Sequence, residues 1–81
     1  MVKPTRVTND IRRLRFDRDE MTQAELAQRL GLTRQTVIAI EQGKYSPSLE
    51  VAFQIAQVFD VPLERVFQYP SAPTASGTVD P

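Results

Sequence analysis

The sequence predicts an all-α fold, a compact bundle of about five short helices, from its apolar spacing, helix caps and turn residues. Apolar side chains recur at helical spacing in short segments, with Leu26 and Leu30 in one and Val37 and Ile40 in the next. Hydroxyl residues suited to cap a helix, Thr22, Thr33 and Ser48, stand at the starts of three segments. Gly31 and Gly43 follow two of them, and glycine readily takes the left-handed conformation that ends a helix. At 81 residues the chain supports one small domain and no second core.

Residues 1–8 have little periodicity and contain Pro4, which reads as a flexible arm; its Lys3 and Arg6 are either phosphate contacts or solvated charges. Thr8 or Asn9 is placed to cap a first helix running to Asp17, with Ile11 and Leu14 inward and Arg12, Arg13 and Arg18 outward. Asp17 to Glu20 is a polar connection, and Met21 suits a hydrophobic staple ahead of the next cap. Thr22 with Glu25 forms a capping-box pattern that starts a second helix, whose inward stripe is Ala24, Leu26, Ala27 and Leu30. Only Leu32 separates Gly31 from Thr33, so the third helix must leave at a sharp angle. On that helix, steps of about 100° per residue put Val37 and Ile40 on one side. Gln35, Ala39 and Gln42 lie opposite, with Arg34 and Ile38 at the edge. Arg and Gln carry paired groups that match guanine and adenine edges in a major groove, so the outward face is a reading head by chemistry.

The segment from Gln42 to Ser48 has strong turn chemistry, with Gly43 ending the third helix and Ser46 or Ser48 capping a fourth. That helix, Ser48 to Phe59, leaves only Glu50, Gln54 and Gln57 as a polar stripe. Its apolar arc spans roughly 220°, about twice the stripe of a helix packed on one side. The short last helix, Pro62 to Phe67, and a second copy of the chain are the candidates to cover the remainder. This predicts a two-fold homodimer with Val51, Ile55, Val58, Leu63, Val66 and Phe67 as candidate interface residues; the alternative is that they complete the monomer's core. Residues 70–81, rich in Pro, Ser, Thr and Gly, read as a disordered tail.

Composition narrows the function classes. The chain has no Cys and no His, which removes disulfides, thiolate ligands and the commonest general base. Catalysis, a cofactor and a metal site are therefore not expected. No apolar run approaches the ~20 residues of a membrane span, and the first residues lack a signal-peptide segment, so a cytoplasmic protein is expected. Formal net charge is zero, yet residues 1–44 hold nine of the ten Lys and Arg against six carboxylates, leaving an acidic second half. That asymmetry suits a protein presenting one face to phosphate, although it is common in short chains.

The runs Thr22-Gln23-Ala24-Glu25-Leu26-Ala27, Leu30-Gly31, Thr33-Arg34-Gln35-Thr36-Val37, Ile40 through Tyr45 and Pro47-Ser48-Leu49 together resemble the Cro/phage-repressor-type, or XRE-type, helix-turn-helix regulators. The resemblance covers Asn9 to Phe67. It implies a lambda-repressor-like DNA-binding domain over residues 9–69, with the motif at 22–41, acting as a homodimer on a pseudo-palindromic double-stranded operator. By the same resemblance Arg34, Gln35 and Ala39 address base edges and Gln23 contacts phosphate by its side chain or an adjacent amide; Thr36 is placed to reach a thymine methyl or a phosphate, and Thr33, Gln42, Lys44 and Tyr45 are further candidates for phosphate contact. Alternatives stand beside several of these: Thr33 as a cap alone, Ala39 as a plain helix former, Lys44 and Tyr45 as solvated loop residues. In the family an arginine near the end of the first helix pairs with a glutamate late in the third, which implies Arg15 with Glu41. Here the stretch between Leu14-Arg15 and Met21-Thr22 is one residue longer than the common pattern, with Asp19-Glu20 where glycine is frequent. Arg15 is thus either the partner of Glu41 or a solvated surface arginine. A protein-interaction module, such as an antitoxin-like partner built on the same scaffold, is the competing function.

Overall fold

The computed structural model describes residues 5–70. Its helices are α1 (Ile11–Asp17), α2 (Gln23–Leu30), α3 (Arg34–Glu41), α4 (Leu49–Phe59) and α5 (Leu63–Val66). Two short strands bracket them, β1 (Thr8–Asn9) and β2 (Phe67–Gln68), and pair antiparallel with Thr8 opposite Gln68 and Asn9 opposite Phe67. Residues 1–4 of the expected arm and 71–81 of the expected tail lie outside the described residues.

Hydroxyl caps start three of the helices. Thr22 Oγ1 accepts from the Glu25 amide at 3.0 Å, Thr33 Oγ1 from the Thr36 amide at 3.2 Å and Ser48 Oγ from the Val51 amide at 3.2 Å. Ser46, the other candidate cap for α4, donates instead to Thr5 Oγ1. The same three helices end in one way. Gly31, Gly43 and Asp60 take φ of 71°, 71° and 56°. In each case the following amide reaches back to close a Schellman turn: Leu32 to the Ala27 carbonyl, Lys44 to Ala39 and Val61 to Ala56.

The start of α1 differs from expectation. Neither Thr8 nor Asn9 occupies the cap position, because both are extended in the ladder with β2; Asp10 precedes the helix and makes no side-chain cap bond. Asn9 still serves the helix start, since its Oδ1 accepts from the Ile11 amide at 3.2 Å. The ladder also shortens the last helix, because Phe67 leaves α5 to join β2. Residues 5–8 are held by the Thr5–Ser46 hydroxyl bond and by the ladder, rather than forming a free arm.

Every helix supplies at least one of the largest fully buried side chains: Ile11, Leu26, Val37, Ile55, Phe59 and Val66. Met21 is buried beside them, and Leu30 and Leu32 pack at the edge. Ala24, expected on the inward stripe, is exposed. Two positions before Leu26 it is turned by about 200°, onto the opposite side of α2. Packing between α2 and α3 is the most extensive of any helix pair, and α4 closes the core beneath them against α5. The Arg18 guanidinium donates to the Phe59 carbonyl, tying the connection after α1 to the end of α4.

Candidate nucleic-acid interface

The tight turn at Gly31 and the Thr33 cap set α3 against α2 with Val37 and Ile40 buried in the core and the rest of the helix more open. Arg34 and Gln35 stand exposed in its first turn. Thr36, the next residue, and Ala39, about one turn further on, are half-buried, as is Ile38 on the flank. The Thr33 and Thr36 hydroxyls lie 2.9 Å apart and share a hydrogen bond, so both are occupied locally. Gln42, Lys44 and Tyr45 are exposed at the end of α3 and on the turn after it.

One charged side chain fixes this helix against the first two. Arg15 is 8% exposed, the one buried charged residue among those described. Its Nε donates to Glu41 Oε2 at 2.6 Å, Nη2 to Glu41 Oε1 at 3.1 Å and Nη1 to the Met21 carbonyl at 2.8 Å. Gln23 Nε2 adds a donor to Glu41 Oε1 at 3.2 Å. The arginine therefore clasps the end of α1, the entry to α2 and the end of α3 in one network, with both charges paired and forked. The extra residue before Met21 does not break this register. It is absorbed by a turn in which Asp19 and Glu20 take φ of 55° and 56°, where the family pattern often has glycine. Gln23, expected to contact phosphate by its side chain or an adjacent amide, has its side chain bound to Glu41 here.

Around the clasp lies a concavity of about 660 Å³ lined by Arg12, Phe16, Gln23, Arg34 and Gln42 among others. It joins residues of the first three helices on one surface. Asn9 steadies the far end of α3 by donating from Nδ2 to the Ile40 carbonyl at 3.0 Å. Phe16 and Asn9 were not singled out by sequence reasoning. Phe16 carried a signal, an aromatic residue off the Ile11/Leu14 face of α1; Asn9 carried only its candidacy as a cap.

The six candidate interface residues separate into three pairs. Ile55 at 1% exposure and Val66 at 0% are core residues of the single chain and have no surface to offer a second copy, which corrects their assignment. Val51 and Val58 are partly buried against the same core. Leu63 and Phe67 are partly buried too, but both also line an apolar groove of about 490 Å³ with Leu49 and Ala52. The large apolar residues left exposed on α4 are Leu49 at 68% and Phe53 at 50%, one helical turn apart. Among the described residues no group of acidic side chains is placed to hold a metal ion, and no helix is long and apolar enough to cross a membrane.

Comparison with known proteins agrees with this architecture. The family model described as helix-turn-helix matches residues 11–66. An uncharacterized HTH-type transcriptional regulator of Methanocaldococcus jannaschii is 57% identical over 49 residues, covering 60% of this chain and 74% of that protein. The HTH-type regulator YgzD of Bacillus subtilis is 44% identical over 59 residues, 73% of this chain and 88% of that one. A cryptic phage CTXphi transcriptional repressor, RstR of Vibrio cholerae, is 38% identical over 59 residues and is matched over 52% of its own length. In fold the chain is similar to a candidate DNA-binding protein from Bacteroides fragilis, with a TM-score of 0.68 at 21% identity over 76% of this chain and 98% of that one. With the matched span running from the first residue of α1 to the last of α5, the chain belongs to the XRE-type helix-turn-helix family of DNA-binding transcriptional regulators.

Proposed function

We propose that the protein binds double-stranded DNA sequence-specifically as a homodimer, each copy laying α3 in the major groove of one half of a pseudo-palindromic operator. The observation that carries this reading is the exposed Arg34–Gln35 pair in the first turn of a helix whose far end is clamped by Arg15 through Glu41. Arg presents a fork to guanine and Gln a matched pair to adenine. Thr36 and Ala39 offer methyl groups to thymine. The first-turn amides of α2 beside Gln23, together with Thr33, Gln42, Lys44 and Tyr45, fall to the phosphates on either side. The reading involves no catalysis and no cofactor, and it places the protein in the cytoplasm with its DNA.

A single copy spans only a few base pairs, so selectivity calls for two half-sites about one helical turn apart. The exposed Leu49 and Phe53, with the groove edge at Leu63 and Phe67, are the apolar surface that would join two copies. This replaces Ile55 and Val66 as the interface. The same apolar surface also fits the competing function, docking on a foreign protein, and sedimentation of the purified chain separates the two: a self-dimer favours the regulator.

Arg34→Ala and Gln35→Ala are each expected to weaken binding to the cognate duplex by about 1–3 kcal/mol. Preference at the matching base pair should fall while circular dichroism stays unchanged. Unaltered specificity in both variants would remove the recognition-helix assignment.

A further inference from the structure

Phe16 leaves half of its surface in solvent, at 53% exposure, although its α1 neighbours Ile11 and Leu14 are buried. It is held in place rather than loose. Arg12 Cζ lies 5.6 Å from the ring centroid and Arg15 Cζ 5.9 Å, so two guanidiniums lie within cation–π distance of the aromatic system. Arg15 is fixed by its bonds to Glu41 and the Met21 carbonyl, which ties the position of the ring to the end of α3. The ring therefore belongs to the same rigid unit as the reading head, and it opens into the same concavity as Arg34 and Gln23.

The charges around it favour an anion. Among the described residues the one ion pair is Arg15–Glu41, so Arg12 and Arg34 carry uncompensated positive charge at the rim. Glu20 also lines the concavity, leaving three guanidiniums against two carboxylates. Arg12 and Phe16 are four residues apart on one helix, hence neighbours about 5–6 Å apart at Cβ. An apolar ring face beside a free guanidinium matches a nucleic-acid strand, in which an apolar sugar alternates with an anionic phosphate.

We propose that Arg12 and Phe16 form a seat for one sugar–phosphate unit of the DNA backbone flanking the half-site read by α3. Arg12 takes the phosphate and Phe16 packs on the deoxyribose. The seat rests on the DNA-binding reading above and adds to it a backbone contact made from α1.

The test uses the full chain and a duplex recovered by selection, with Arg34→Ala as the control for base reading. Phe16→Ala is expected to weaken binding by about tenfold on cognate and unrelated duplexes alike, as for loss of an aromatic packing surface. Phe16→Leu keeps apolar volume without the ring quadrupole and should lose less, giving a second readout should the alanine variant be unstable. Arg12→Ala should reduce the slope of log affinity against log salt by about one, the signature of one lost phosphate contact. Replacing backbone phosphates one at a time by uncharged methylphosphonate should reveal one flanking position that matters to the wild type and not to Arg12→Ala. Wild-type affinity and slope in the Phe16 and Arg12 variants, alongside lost specificity in Arg34→Ala, would overturn the seat and leave the DNA reading intact. A wild-type chain that binds no duplex would overturn both.

Discussion

Arg15 shows how a charged residue can organise a small domain. Its three donor bonds reach Glu41 at the end of α3 and the Met21 carbonyl just ahead of α2, and both side chains of its pair are about nine-tenths buried. Removing one partner of such a pair leaves an unpaired buried charge, a loss of about 3–5 kcal/mol. Arg15→Ala is accordingly expected to lower the denaturant midpoint by a large fraction of the domain's stability. Arg15→Lys should recover little, because an ammonium cannot span Glu41 and the Met21 carbonyl with a planar fork. The pair was legible only through family resemblance: the local pattern around Arg15 fits a surface arginine equally well, and the two residues are far apart in the chain. The reading residues were more legible, because Arg34 and Gln35 follow a cap and precede Val37 on a helix whose inward face is apolar. What the sequence did not indicate was that Gln23 spends its side chain on Glu41, since that depends on the crossing of α2 and α3.

At the level of elements, starts and stops that use local chemistry were readable, and those set by distant partners were not. Thr22, Thr33 and Ser48 cap their helices through bonds spanning three residues, which sequence spacing encodes directly. The β1–β2 ladder joins positions 60 residues apart in the chain, Thr8 and Gln68, and nothing local marks either strand. It displaced the expected cap of α1 and shortened α5. The connection after α1 carries a testable cost. Asp19 and Glu20 both hold left-handed φ, which asparagine and aspartate tolerate better than a longer side chain. Glu20→Gly is expected to stabilise the domain by about 0.5–1 kcal/mol, seen as a Tm rise of several degrees. A fall in Tm would mean that the Glu20 side chain contributes more than the backbone conformation costs. The converse holds at Gly31, where a Cβ meets no neighbouring atom within 4 Å and yet φ is 71°; Gly31→Ala should destabilise through the backbone alone.

For the whole molecule, the apolar arc of α4 announced that more than one surface had to be covered, but not which side faced which. Angular counting could not place Ile55 in the core and Phe53 outside it, because that choice depends on where α1 and α5 dock. The structure assigns Ile55, Phe59 and Val66 to the core and leaves Leu49 and Phe53 exposed. Two substitutions on one helix should therefore behave differently. Phe53→Glu is expected to give a folded monomer by sedimentation with weaker DNA binding, whereas Ile55→Glu buries an unpaired charge and should unfold the chain. A persisting dimer in Phe53→Glu would move the interface elsewhere. Taken together, the clasp, the caps and the apolar face describe a reading head held rigidly within one copy and made selective by a second. The most direct measurement of that claim is selection of bound sequences from random duplex DNA with the wild-type chain and with an Arg34→Ala/Gln35→Ala double variant. The account predicts a two-fold symmetric site with half-sites about one helical turn apart for the wild type, and loss of that site for the variant. Enrichment of no sequence by the wild type, or of the same sequence by both, would contradict it.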